Sequence, residues 1–289
     1  MNTILYWLGR ALVACVQALP LPVVARVGRA CGWLAFILAA RYRRVALNNL
    51  TMCFGSEKST EEIRALAKDN FRRIGENYAS AIKTAGMTAD ELKAHVEFIN
   101  LEHFPRKNDD MPLPNVVAAI GHFGNFELYA RIHDVRPEYQ VATTYRALKQ
   151  PAMNRLMQEL RDNGCCRYFE RRTEGEKLRE LMRHGGNILG LLADQSSLGL
   201  RAPFLGHDCN TGLAPAVLAL RYQAVLLPGI CYRVAPAKWC IELGEKIATH
   251  ENGEPRTSEA IMRDVNRALE TAVRLDPANW FWVHRRWKD

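Results

Sequence analysis

No Asp or Glu occurs in this chain before Glu57, although Arg10, Arg26, Arg29, Arg41, Arg43 and Arg44 all fall in that stretch. A basic, acid-free and apolar beginning suits an anionic membrane surface. Nucleic acid fits less well, because the stretch is aliphatic and carries no recognition module. The eight cysteines form no C-x-x-C pair and no His/Cys cluster at zinc spacing, so neither a structural zinc site nor a redox pair is expected. Cys165 and Cys166 are adjacent and cannot bridge each other without strain, and several other cysteines sit in apolar runs. A reducing compartment follows. The chain also lacks G-x-G-x-x-G, G-x-x-x-x-G-K-[ST] and G-x-S-x-G. Nucleotide binding and serine hydrolysis lose their usual support, and no cofactor is implied. Neither apolar run near the start, 4–19 or 23–40, reaches about 20 uninterrupted apolar residues. Without a charged leader and clean cleavage site, a secreted protein is not expected. Whether the first run spans a membrane or lies on it stays open.

What is present is ample. At 289 residues with a net charge of +8, the chain is long enough for a substantial core. Pro20 and Pro22 separate two N-terminal helices, and a third runs on from residue 41 and closes at Gly55. Ser59-Thr60-Glu61-Glu62 is a capping-box pattern that opens a long helix to about residue 85, stopped by Gly86. Thr88 to Glu91 repeats the box. From there strands alternate with helices. Strands are expected at 96–101, 116–120, 140–145, 165–169, 187–193, 225–234 and 238–243, and helices at 126–132, 151–161, 174–183, 211–222 and 258–275. A polar, proline-bearing loop is expected over 105–114. The alternation predicts an α/β fold, with a mostly parallel central sheet flanked by helices. The chain divides on this reading into a helical, membrane-associating region, 1–85, and an α/β region, 86–289.

The apolar run 116–120 feeds Gly121-His122-Phe123-Gly124-Asn125-Phe126-Glu127. The pattern predicts strand, glycine-flanked turn, then helix, with a histidine held at the turn. A neutral imidazole can take a proton from an alcohol, and Glu127, about a turn into the helix, is placed to accept from its N–H and fix the tautomer. The alternatives are a structural histidine bonded to a loop carbonyl, and an acid favoured by the helix macrodipole. Gly121 and Gly124 leave room for a substrate, and the N–H groups around Phe123 and Gly124 are candidate oxyanion donors. A metal on His122 and Glu127 would need a third ligand that the sequence does not supply. Arg146 and Asp194 close strands whose carboxyl ends should gather at the same edge of the sheet as the turn. Either serves substrate, or Arg146 is a solvated strand-end arginine and Asp194 a turn residue. Arg201 to Gly206 suggests an apolar loop that covers an acyl chain or merely packs. The C-terminal Trp280-Phe281-Trp282-Val283-His284-Arg285-Arg286-Trp287-Lys288 fits interfacial anchoring, binding of an anionic headgroup or carrier, or simple packing on the sheet.

In ordered combination these segments resemble the bacterial lipid A biosynthesis acyltransferases, the late enzymes that add secondary lauroyl or myristoyl chains. The likeness covers nearly the whole chain: Leu19-Pro20, Arg43-Arg44-Val45-Ala46-Leu47-Asn48-Asn49-Leu50, the His122…Glu127 motif, Tyr145-Arg146, Ala193-Asp194-Gln195, Pro203-Phe204-Leu205-Gly206 with Thr211-Gly212, and the tryptophan-rich end. The resemblance implies a glycerolipid-acyltransferase-like fold, an acyl carrier protein thioester as donor, a glycolipid hydroxyl as acceptor, and the cytoplasmic face of a bacterial inner membrane. It further implies His122 as general base with Glu127, and Phe123, Gly124, Asn125, Arg146, Asp194 and Gln195 as substrate-binding positions. The chain is short for the family, and Gln195 stands where a histidine is frequent. An amino-acid lipid, a pigment precursor or a coenzyme A donor therefore stays open, as do a thioesterase with the same dyad and a non-catalytic membrane-surface protein.

Overall fold

The computed structural model describes residues 2–106, 112–162 and 166–288. The chain opens with four helices: α1 (Asn2–Ala18), α2 (Leu21–Leu38), α3 (Ala40–Phe54) and α4 (Thr60–Ala85). The Ser59 hydroxyl accepts from the Glu62 N–H while Glu62 reaches back to the Ser59 N–H, so the capping box at the start of α4 is complete. α2 lies on α4 through glycine. A Cβ at Gly32 would stand 2.1 Å from the Phe71 carbonyl oxygen, and one at Gly75 would stand 2.2 Å from that of Gly28. Backbones that approach so closely tolerate no side chain there. α2 is long and apolar enough to cross a membrane by length and composition, with 33% of that stretch buried inside the protein. Not all of the early arginines are left for a surface. Arg29 pairs with Asp69 and Glu76, Arg43 caps the carbonyls of Phe36 and Ile37, and Arg10 reaches Glu159.

After the short helix α5 (Ala89–Leu92) come β1 (Val96–Ile99), β2 (Val116–Ile120), β3 (Gln140–Tyr145), α6 (Pro151–Arg161), β4 (Cys166–Glu170), α7 (Gly175–Arg183) and β5 (Asn187–Leu192). The hairpin β6 (Ser196–Phe204) and β7 (His207–Thr211) follows, then α8 (Ala214–Arg221), β8 (Val225–Ala235), β9 (Lys238–Leu243) and, past a small hairpin, α9 (Ser258–Leu275). Seven strands form one sheet in the order β1-β9-β8-β2-β5-β3-β4, and only β8–β9 is antiparallel. β2 is buried along its whole length, as a strand covered on both faces must be. The expected mostly parallel sheet with helical flanks is therefore what the chain forms.

Three local expectations change. The run after Asn125 is a 3-10 helix, Phe126–Asp134, rather than an α-helix. Residues 201–206 are not a loop. They belong to the β6–β7 hairpin, where Phe204 and Leu205 are buried in the main core and the Trp287 indole donates to the Phe204 carbonyl. The helix expected from residue 211 starts only at Ala214, because Thr211 ends β7. Residues 107–111 of the loop expected over 105–114, and Cys165 at the start of the expected strand 165–169, lie outside the described residues.

Candidate active site

Ile120 on β2 pairs in register with Leu192 on the parallel neighbour β5. Position 122 therefore comes opposite position 194, two residues past each strand end, at the sheet's carboxyl edge. The structure uses this juxtaposition. His122 Nδ1 lies 2.8 Å from Asp194 Oδ1, and the His122 backbone N–H donates to Asp194 Oδ2 at 2.7 Å. The Trp280 indole N–H adds a third bond, to Oδ2 at 2.8 Å. Asp194 is 1% exposed. Burial works to raise its carboxyl, yet the facing His122 and the donated hydrogen bonds pull it down to about 2. The carboxylate is thus ionised at neutral pH, and its Oδ1 fixes the tautomer with the proton on Nδ1.

Glycine is required at the turn for a different reason from the one expected. A Cβ on Gly121 would lie 2.4 Å from the Phe123 ring and 3.3 Å from the Asp194 carboxyl carbon. Gly124 has φ +51, and a Cβ there would meet the Cys231 carbonyl oxygen at 2.4 Å. The protein itself fills the space where each Cβ would stand, so the glycines admit the Phe123 ring and Asp194 at Gly121 and β8 at Gly124. The Phe123 and Gly124 N–H groups are likewise engaged, with the carbonyls of Gly121 and Asn279. They are not free oxyanion donors, and Phe123 is fully buried in the main core.

Glu127 does not touch the imidazole. Its carboxylate takes a two-pronged ion pair from Arg161 at the end of α6, at 3.1 and 2.5 Å, and that guanidinium lies 5.0 Å over the Tyr168 ring. The left-handed turn at Gly124 and the 3-10 path after it send Glu127 toward α6 and not back to His122. Two side chains do flank the ring: Phe126 at 5.0 Å and Phe281 at 5.8 Å between ring centres. The Gln195 amide nitrogen sits 3.4 Å from Nε2, as the only described polar side chain against that atom. Nearby, His284 accepts the Ser196 N–H, and burial holds its imidazole below the usual range. Arg146 is exposed at the end of β3, and among the described residues it makes no hydrogen bond or ion pair.

The C-terminal segment proves to be structural framework. Trp280 and Trp282 are buried at a mutual 4.7 Å, and Arg286 is fully buried against Thr211 and the Asn210 carbonyl. Asn49 of α3 and Asn70 of α4 donate to carbonyls of this segment and tie it to the helical region. Packing, and not a headgroup contact, accounts for the tryptophans. Sequence reasoning selected Asp194 without its partner, and it did not single out Trp280 as the donor to that carboxylate.

Beside His122 opens an apolar cavity of about 360 Å³ whose walls come from α1, α4, α6, the 3-10 helix and Phe281. Gly124 and Asn125 line it; the Asn125 side-chain amide donates to Thr84, and its Oδ1 is buried without a partner among the described residues. An imidazole held by a buried carboxylate at the mouth of an apolar cavity is suited to deprotonating a hydroxyl that attacks an acyl group.

The family model for bacterial lipid A biosynthesis acyltransferases matches residues 1–289. Among curated proteins, the chain is similar to a lipid A biosynthesis lauroyltransferase of Escherichia coli, with 24% identity over 98% of this chain and 91% of the relative. It is similar to the same degree, 24%, to a lipid A biosynthesis acyltransferase of Haemophilus influenzae, over 98% and 90% of the two chains. A lipid A biosynthesis palmitoleoyltransferase of Escherichia coli matches at 24% over 98% and 91%.

Proposed function

The chain belongs to the bacterial lipid A biosynthesis acyltransferases, and on that premise we propose that it moves a fatty acyl group from an acyl carrier protein thioester to a hydroxyl of a lipid A precursor or related glycolipid. The observation that supports this best is the His122–Asp194 pair at 2.8 Å, set at the mouth of the apolar cavity. His122 Nε2 takes the proton of the acceptor hydroxyl as its oxygen attacks the thioester carbonyl. The negative charge of Asp194 stabilises the imidazolium that forms. The tetrahedral intermediate then expels the thiolate, which receives the proton from Nε2, so no covalent enzyme intermediate is needed. With the Phe123 and Gly124 N–H groups engaged elsewhere, the Gln195 amide, 3.4 Å from Nε2, is the side-chain donor suited to serve the developing oxyanion.

In this reading Asp194 takes the orienting role, and Glu127 holds Arg161 at the cavity wall. The bare faces of α1 and α2 support a position on the cytoplasmic face of the inner membrane. On α1, Ile4, Trp7, Leu8 and Leu12 are 60–67% exposed, and Val27, Trp33, Leu34 and Leu38 of α2 are exposed as well. Arg26, Arg41 and Arg44 stand exposed nearby in sequence, suited to anionic headgroups.

The test is transfer of labelled acyl group from acyl carrier protein to a lipid A precursor in mixed micelles, with His122→Ala beside the wild type. Loss of about 10²–10⁴-fold is expected on removing the base. Unchanged transfer by the variant would remove His122 from the chemistry. Free fatty acid as the sole product would make the protein a thioesterase.

A further inference from the structure

The cavity extends well away from His122. Met153, Leu156, Met157 and Leu160 line it from α6 at spacings of three and four, hence from one helix face, and Arg161 closes that row beside Glu127. From Arg161 back to Met153 is about 12 Å at 1.5 Å per residue. On the far side stand Gly9 and Val13 of α1. A Cβ at Gly9 would lie 2.6 Å from Leu156 Cδ2, so the missing side chain lets α1 sit flush on α6. A polar clasp fixes the two helices there. The Tyr6 hydroxyl is 2.9 and 2.8 Å from the two oxygens of Glu159, Arg10 reaches Glu159 at 3.4 Å, and Arg155 bonds Glu159 at 2.8 Å while lying 4.4 Å over the Tyr6 ring.

We infer that the space between α1, α4 and α6 takes the hydrocarbon tail of the acyl donor, and that α1, seated on Leu156 through Gly9 and the Tyr6–Glu159 clasp, is the wall that sets how long a tail fits. This rests on the acyl-transfer reading above. The donor's carbonyl carbon must lie within reach of the hydroxyl that His122 activates, so its tail starts at the cavity mouth and needs apolar cover at once. An acceptor lipid, by contrast, keeps its own chains in the bilayer. One unbranched chain suits a lining in which Ile74 and Ile82 of α4 stand with Leu156 and Met157 of α6. Because α1 turns its other face outward, the same helix both meets lipid and bounds the tail site.

The full-length protein would be given a mixture of acyl carrier protein thioesters of increasing even chain length, and product lipids weighed by mass spectrometry. Leu156→Trp should move the preferred length down and Leu156→Ala should move it up, each changing the ratio between neighbouring lengths about tenfold. Tyr6→Phe combined with Glu159→Gln should broaden the distribution toward longer tails. If Leu156→Trp does not fold, as judged by its thermal unfolding, Leu156→Ala decides alone. An unchanged length distribution in folded, active variants overturns the inference. If the wild type transfers nothing, the acyl-transfer reading fails, and thermal shifts with free fatty acids of the same lengths then read the cavity by themselves. Stabilisation that depends on length and moves with Leu156 supports it, and stabilisation independent of length overturns it.

Discussion

The indole N–H of Trp280 donates to Asp194 Oδ2, the same oxygen that accepts the backbone N–H of His122. The C-terminal segment therefore reaches His122 through one shared carboxylate. Trp280→Phe keeps the aromatic packing against Phe204 and Trp282 but removes this donor. A hydrogen bond to a charged group is worth about 1.5–3 kcal/mol. If that much of the carboxylate's alignment is lost in the transition state, kcat should fall roughly tenfold to a hundredfold with little change in KM. Steady-state kinetics on the folded variant decides it. A wild-type kcat would leave Trp280 a packing residue alone.

Asp194 and Glu127 are both acids near His122 in one sense or another, and substitution separates them. Asp194→Asn leaves the shape almost unchanged but removes the charge that fixes the tautomer, and should cost about 10²–10⁴-fold in kcat. Glu127→Gln instead loosens the ion pair to Arg161, a contact with the Glu127 side chain 29% exposed. Its effect should fall mainly on KM for the acyl donor, through the cavity wall. The reverse outcome, a collapsed kcat for Glu127→Gln with Asp194→Asn nearly unaffected, would return the orienting role to Glu127.

The strands, the capping boxes and the turn around His122 are legible in the sequence because each is written locally, in apolar runs, Ser/Thr-x-x-Glu spacing and paired glycines. The partner of His122 is not local. It lies 72 residues away and is fixed by the register of β2 on β5, which periodicity does not disclose. Nearness along the chain favours Glu127, but that inference assumes an α-helix after the turn. The 3-10 geometry and the positive φ of Gly124 break the assumption. The β6–β7 hairpin is hidden for a similar reason. Its polar, proline-bearing strands show little alternation, and tertiary packing of Phe204 and Leu205 holds them. The clustered tryptophans advertise an interface in the sequence, and only the neighbours supplied by α3, α4 and α9 turn that interface inward.

Asp194 also predicts an acid limb in stability. Its carboxyl lies at about 2 in the folded protein against an ordinary 3.8. A depressed carboxylate stabilises the folded state fully above the ordinary value, and that contribution is lost as pH falls from about 3.8 through about 2. The loss should amount to about 2–3 kcal/mol, an order-of-magnitude figure for a shift of this size. Chemical denaturation of the wild type and Asp194→Asn across that window tests it. The variant should be less stable at neutral pH and show a shallower acid limb. Parallel curves would mean that the carboxylate is not stabilised by its partners.

Glu76 on α4 predicts how the helical region is joined to the sheet. It is fully buried, and its carboxylate accepts from Arg233 on β8 at 2.7 Å, from Arg29 on α2 at 3.1 Å and from the Ala237 N–H at 3.0 Å. One side chain thus links two helices to the β8–β9 turn. Truncating one partner of a buried ion pair leaves the other charge uncompensated, which costs about 3–5 kcal/mol. Glu76→Ala should therefore lower the midpoint of denaturant unfolding by a comparable amount. Glu61→Ala, exposed on the first turn of the same helix, should cost little. The double variant Glu76→Leu with Arg233→Met removes both the acid and its closest cation, and should recover part of the loss, because well-packed apolar groups replace buried pairs at low cost. Equal losses in the single and double variants would show that α4 is held to the sheet by its apolar contacts and not by this carboxylate.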